Sequence, residues 1–105
     1  MTISNAFKLF ATEAPAHAAA WLDAARGLGD ACALDPKTRD LAYLAVLATQ
    51  GLVTGIPFHV LSARKNGATR EEIISAVLLG LPAAGNIVTQ SLPAALETFD
   101  AANAV

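Results

Sequence analysis

An all-α domain is the fold class this sequence predicts, on three observations. Four stretches space their apolar residues at helical intervals, and none shows the sustained apolar–polar alternation of a half-buried strand. Alanine supplies 24 of the 105 residues, and it is both the best helix former and small enough to let helices pack closely. The chain is 54% apolar before its 7 glycines are counted and only 15% charged, against roughly 45–50% and about 25% in an average soluble domain. That is more apolar surface than a small monomer easily hides. Its length suits a single domain, 1–105.

Residues 1–10, with Ile3, Phe7 and Phe10, can form a short leading helix. The next is expected over about Glu13 to Gly27: Thr12 can cap it, Pro15 suits its first turn, and Gly27 and Gly29 close it. Trp21, Leu22 and Ala25 form its expected inner face. A third starts at Asp35-Pro36, a cap followed by proline at the first helical position, and runs to about Gln50 before Gly51. Leu41 to Ala48 is apolar all round, which places it at the centre of the protein or in an interface.

A further helix starts near Thr54 to Pro57 and ends at Asn66-Gly67, with Phe58 and Leu61 expected inward and Arg64 and Lys65 matching its C-terminal dipole. Thr69-Arg70-Glu71-Glu72 reads as a capping box that opens a helix carrying Ile73, Ile74, Val77, Leu78 and Leu81 inward. Pro82 stops or bends it. Ala83 to about Asn103 reads either as a last helix interrupted at Pro93 or as two helices, the second capped by Ser91.

Composition also narrows the function. The longest unbroken apolar run, Leu41–Ala48, is far short of the ~20 residues that span a bilayer, and Met1–Phe10 lacks the pattern of a secretory signal. A soluble, cytoplasmic protein with no membrane partner is the expectation. A net charge of −2 with no basic cluster beyond Arg64-Lys65 argues against a nucleic-acid partner. The one cysteine, Cys32, forms no internal disulfide, and its neighbours Asp30 and Asp35 have the wrong sign to activate a thiol. One histidine with one carboxylate is too small a ligand set for a metal, so neither metal nor cofactor is expected.

His59 is the leading chemical candidate. At a helix N-terminus the positive dipole end disfavours imidazolium and keeps a neutral base available, the alternative being a histidine merely hydrogen-bonded at a helix start. Asp40 is the last charged residue before the apolar run, either solvated at its rim or paired, with a histidine as a reasonable partner. Gln50 to Pro57 connects two helices, and its two glycines let backbone N–H groups approach a ligand, though they match no phosphate-binding fingerprint. Tyr43, Asn86 and Gln90 could line a pocket or satisfy neighbouring backbone. His17 reads as a surface or interface residue.

The blocks Leu34-Asp35-Pro36-Lys37-Thr38-Arg39-Asp40, Phe58-His59, Asn66-Gly67-Ala68-Thr69-Arg70-Glu71-Glu72-Ile73 and Pro82-Ala83-Ala84-Gly85 stand in an order that resembles the carboxymuconolactone decarboxylase and alkylhydroperoxidase D-like family over about residues 34–90. The resemblance implies an all-helical domain with a central antiparallel helix pair, assembled as homotrimers or homohexamers through apolar helices. The peroxidase branch of the family uses a C-x-x-C pair, a histidine a few residues on and an upstream glutamate. By position the histidine is His59, the glutamate is replaced by Asp40, and the cysteines by Leu52 and Gly55. Disulfide-cycling peroxidase chemistry is therefore not expected.

The decarboxylase branch needs no cysteine pair. The resemblance then implies a lyase acting on a small anionic lactone or acid, with His59 as general acid/base, Asp40 as its partner, and Thr54, Arg39 and Arg64 as candidates for holding the substrate. The other reading is a non-catalytic oligomeric or ligand-binding member that lost the site. Pro57 is expected to push Ile56 out of helical geometry and delay the helix that carries His59.

Overall fold

The computed structural model describes residues 4–103. Among them are seven α-helices, two short 3-10 segments and no strand. The chain divides into two compact units, one up to Leu34 and one from Asp35 onward.

The first unit is a pair of helices, α1 (Asn5–Glu13) and α2 (Pro15–Ala31). Ser4 caps α1 by accepting a hydrogen bond from the Phe7 N–H at 3.2 Å, and Phe7 meets Phe10 edge to face. The break at Ala14 follows from Pro15, since the residue before a proline is driven out of the helical region and Ala14 takes φ −135°, ψ 62°. Thr12 is not the expected cap: its hydroxyl bonds back to the Lys8 carbonyl inside α1.

Gly27 and Gly29 do not end α2, which runs on to Ala31. Glycine terminates a helix when the chain needs a positive φ there, and neither residue has one. Nor do Trp21 and Leu22 face inward. Trp21 is 59% exposed, and Ala18 is the one buried residue of α2.

In the second unit, α3 (Pro36–Gln50) keeps the expected boundaries. The Asp35 carboxylate accepts the Thr38 N–H at 2.7 Å, and Gly51 closes the helix in the left-handed region at φ 67°. After a 3-10 turn (Val53–Gly55), α4 (Ile56–Lys65) returns antiparallel to α3. Ile56 is fully helical at φ −63°, ψ −48°, against the expected delay, because Pro57 sits in the first turn, where its missing N–H would have had no partner anyway. Ile56, Val60 and Ala63 are the buried face of α4, while Phe58 is half-exposed. Two residues along a helix turn about 200°, so Ile56 and Phe58 cannot both point inward.

Helix α5 (Arg70–Leu78) opens on the expected capping box and buries Ile73 and Val77 against α3. Its start is tied to that of α3 by Lys37 and Glu72 at 3.0 Å. Leu81 is exposed rather than buried, because the helix ends before Gly80, two residues ahead of Pro82. Pro82 sits in the first turn of the four-residue α6 (Leu81–Ala84).

Gly85 then takes φ 79°, ψ −156°, a region open to glycine alone, and leads into a 3-10 segment (Gly85–Ser91). The last helix, α7 (Leu92–Asn103), starts one residue before Pro93, so the proline opens the helix instead of interrupting it. Ser91 is no cap: it is fully buried and its hydroxyl has no hydrogen-bond partner. Arg70 and Asp100 join α5 to α7 through two hydrogen bonds of 2.9 and 3.1 Å. The stretch Arg70–Ala102 is apolar enough to match a membrane-crossing helix, but the bends at Gly80 and Gly85 divide it into short pieces.

The core of this unit is Leu44, Ile56, Val60, Ile73, Val77 and Val88, all at 0% exposure. Each contributes about 1.5–3 kcal/mol on burial. The all-round apolar segment of α3 is therefore central on one side only. Leu44, Leu47 and Ala48 are buried, while Tyr43 and Val46 are 47% and 52% exposed.

Candidate active site

The α3–α4 pair positions the site. Asp40 lies in the second turn of α3 and is buried. A buried carboxylate is costly unless hydrogen-bonded, and this one is met by two donors: Ser62 Oγ and Asn66 Nδ2 both donate to Oδ2 at 2.9 Å. Ser62 lies on α4 and Asn66, four residues on, is the C-cap of that helix, so both fall on one side of it. One turn earlier on that helix comes His59, and one turn later on α3 comes Tyr43. The antiparallel register brings these two side chains together, with ring centroids 4.5 Å apart and planes tilted by 48°. Phe58 adds a second ring edge-on at 5.2 Å.

His59 is half-buried in this setting. Burial pushes its pKa below the ordinary 6.5, and the Asp40 charge pulls the other way without prevailing. The imidazole is therefore neutral at pH 7, as the helix-start position suggested, but desolvation is the principal cause. Asp40 acts on it through charge, while its carboxylate accepts hydrogen bonds from Ser62 and Asn66.

The remaining candidates are dispersed. Thr54 is exposed in the 3-10 turn before α4, and Arg39 is exposed beside Asp40 in sequence. Arg64 is half-buried with its guanidinium carbon 5.2 Å from the centre of the Phe99 ring, so it is directed toward α7. Five positions on from His59, or about 140° around the helix, it belongs to a different face of α4. Leu52 is exposed, and Gly55 lies against Leu47 of α3. Cys32 is half-buried at the end of α2 as a free thiol. Among the described residues, no three His, Cys, Asp or Glu side chains form a metal-ligating group.

The sequence model of the carboxymuconolactone decarboxylase family matches residues 15–98. The chain belongs to this carboxymuconolactone decarboxylase family. The match extends well beyond the resemblance over 34–90 and takes in all of α2. No curated protein and no solved structure matches the chain. With one cysteine in its sequence, this family member cannot contain a C-x-x-C pair.

Sequence reasoning missed Ser62 and Asn66 as partners of Asp40, and Tyr43 as the ring on His59. The signal was present: Asp40 and Tyr43 are three apart on one helix, and His59, Ser62 and Asn66 follow at i, i+3 and i+7 on the next. Only the antiparallel register shows that these two stripes face each other.

Proposed function

We propose that this chain is a lyase that removes CO2 from a small carboxylated lactone or acid, with His59 as general acid/base. The observation that carries the reading is the half-buried, neutral imidazole of His59 beside the anchored carboxylate of Asp40. In such a reaction the bond between the substrate carbon and its carboxylate breaks, CO2 leaves, and the electron pair stays on carbon as an enolate that must be protonated. A bound anion beside His59 raises the proton affinity of the imidazole. His59 then takes a proton from water, the hydroxide passing to solvent, and delivers that proton to the enolate carbon, and Asp40 favours the transient imidazolium. Thr54 and Arg39 or Arg64 are the proposed contacts to the remaining anionic group. A cytoplasmic location and assembly as a homotrimer or homohexamer belong to the same proposal. The half-exposed Tyr43, Val46 and Phe58 support the assembly.

The test is CO2 release from carboxymuconolactone by the wild type, His59→Ala and Asp40→Asn. Loss of a general acid/base costs about 10²–10⁴-fold, and that loss is expected for His59→Ala. Equal rates would remove His59 from the mechanism. One observation favours a second reading, a non-catalytic member of the family: Asp40 serves as a clamp between α3 and α4 through Ser62 and Asn66. Absence of turnover in the wild type on lactone and acid substrates alike would support it.

A further inference from the structure

We propose that Tyr43 is a positioning residue for His59: its ring, 4.5 Å away centre to centre, covers one face of the imidazole, keeps water off that face and fixes how the imidazole is presented to a ligand. The proposal rests on reading His59 as the reacting group.

Two rings contact His59, and they are not equivalent. Phe58 is its sequence neighbour and travels with it on α4, so it shields the imidazole wherever that helix goes. Tyr43 comes from α3 and reaches His59 only because the two helices are held in one register. That register is fixed one turn away by the hydrogen bonds from Ser62 and Asn66 to Asp40. A shift by one turn would move Tyr43 about 5.4 Å along the pair and strip the face of the imidazole it covers. Tyr43 is itself half-exposed, so it forms the rim of the site and not part of the core.

The charged surroundings leave few other groups to set the behaviour of His59. On α3 the charged or titratable groups are Lys37, Arg39, Asp40 and Tyr43, of which Lys37 is paired with Glu72 and Arg39 is exposed, and on α4 itself Arg64 and Lys65 lie in the last turn. The turn Val53–Gly55 brings none. On α7, Asp100 is engaged by Arg70 and Glu97 is exposed. Desolvation is the principal influence on His59, and Tyr43 is the ring supplied to it from outside its own helix.

The experiment follows the His59 ring protons by NMR through a pH titration in the wild type, Tyr43→Phe and Tyr43→Ala, with the exposed His17 as an internal reference. Tyr43→Phe keeps the ring and is expected to keep the wild-type midpoint. Tyr43→Ala is expected to raise the His59 midpoint toward 6.5. An unchanged His59 midpoint in Tyr43→Ala would overturn the proposal. If that variant fails to fold, Tyr43→Gln keeps side-chain length but replaces the ring with a hydrated amide and is judged by the same criterion. The titration needs no substrate, so the two readings fail separately. Unchanged turnover in His59→Ala removes the lyase mechanism, whereas an unchanged midpoint removes the role of Tyr43.

Discussion

Asn66, the C-cap of α4, donates its side-chain amide to the buried carboxylate of Asp40 on α3 at 2.9 Å, across 26 positions of sequence. With Ser62 donating to the same oxygen, this contact fixes the register of the helix pair that carries the candidate site. Hydrogen bonds to a charged, buried acceptor contribute about 1.5–3 kcal/mol each. Asn66→Ala is therefore expected to lower the unfolding free energy by about that amount in urea titrations. No change would mean that water replaces the amide at no cost.

At Gly80 the α5–α6 connection passes close to α3, where an added Cβ would overlap Thr49 Cγ2. Gly80→Ala is expected to destabilise the protein by about 1–3 kcal/mol, the usual cost of overpacking. Thr49→Ser removes the methyl and keeps the hydroxyl that bonds to the Val46 carbonyl. The double variant should recover most of the loss, and a strictly additive pair would show that the clash lies elsewhere.

The depressed pKa of His59 has a definite sign for stability. Above pH 6.5 the histidine is neutral in both folded and unfolded chains, and the full stability is present. As the pH falls below 6.5 the unfolded chain takes up a proton first, so stability declines down to the folded value. His59→Gln should flatten the urea midpoint over that window, beginning near pH 6.5. An unchanged slope would assign the pH dependence to other groups.

Tyr43 and Val46 on α3, with Phe58 on α4, leave an apolar surface half-open on a single chain. Burial between copies is the expected outcome, read as a trimer or hexamer in sedimentation at micromolar concentration. Val46→Glu should shift the distribution toward monomer, since it places a charge on that surface. A wild-type monomer would contradict the proposal.

Local chemistry made much of the fold legible. Asp35-Pro36 and Gly51 set the ends of α3, and Thr69 with Glu72 sets the start of α5, because caps and left-handed glycines act over three or four residues. The order of motif blocks carried the family. Local rules also misled where tertiary context outweighed them: Gly27 and Gly29 inside α2, a helical Ile56 before Pro57, and a buried Ser91 that caps nothing.

Which face of α4 turns inward, and hence that Phe58 stays at the rim while Val60 fills the core, was decided by packing against α3. So was the pairing at the site. Asp40 and His59 stand out in the chain as residues, but which side chains surround them depends on the register of two antiparallel helices. That register is set by side chains more than twenty positions apart, Asp40 with Ser62 and Asn66, and no local pattern encodes it. The apolar surplus was evident from composition alone. Only the folded chain shows which part fills the core, as with Leu44, and which part, as with Val46 and with Tyr43 beside His59, remains at the surface.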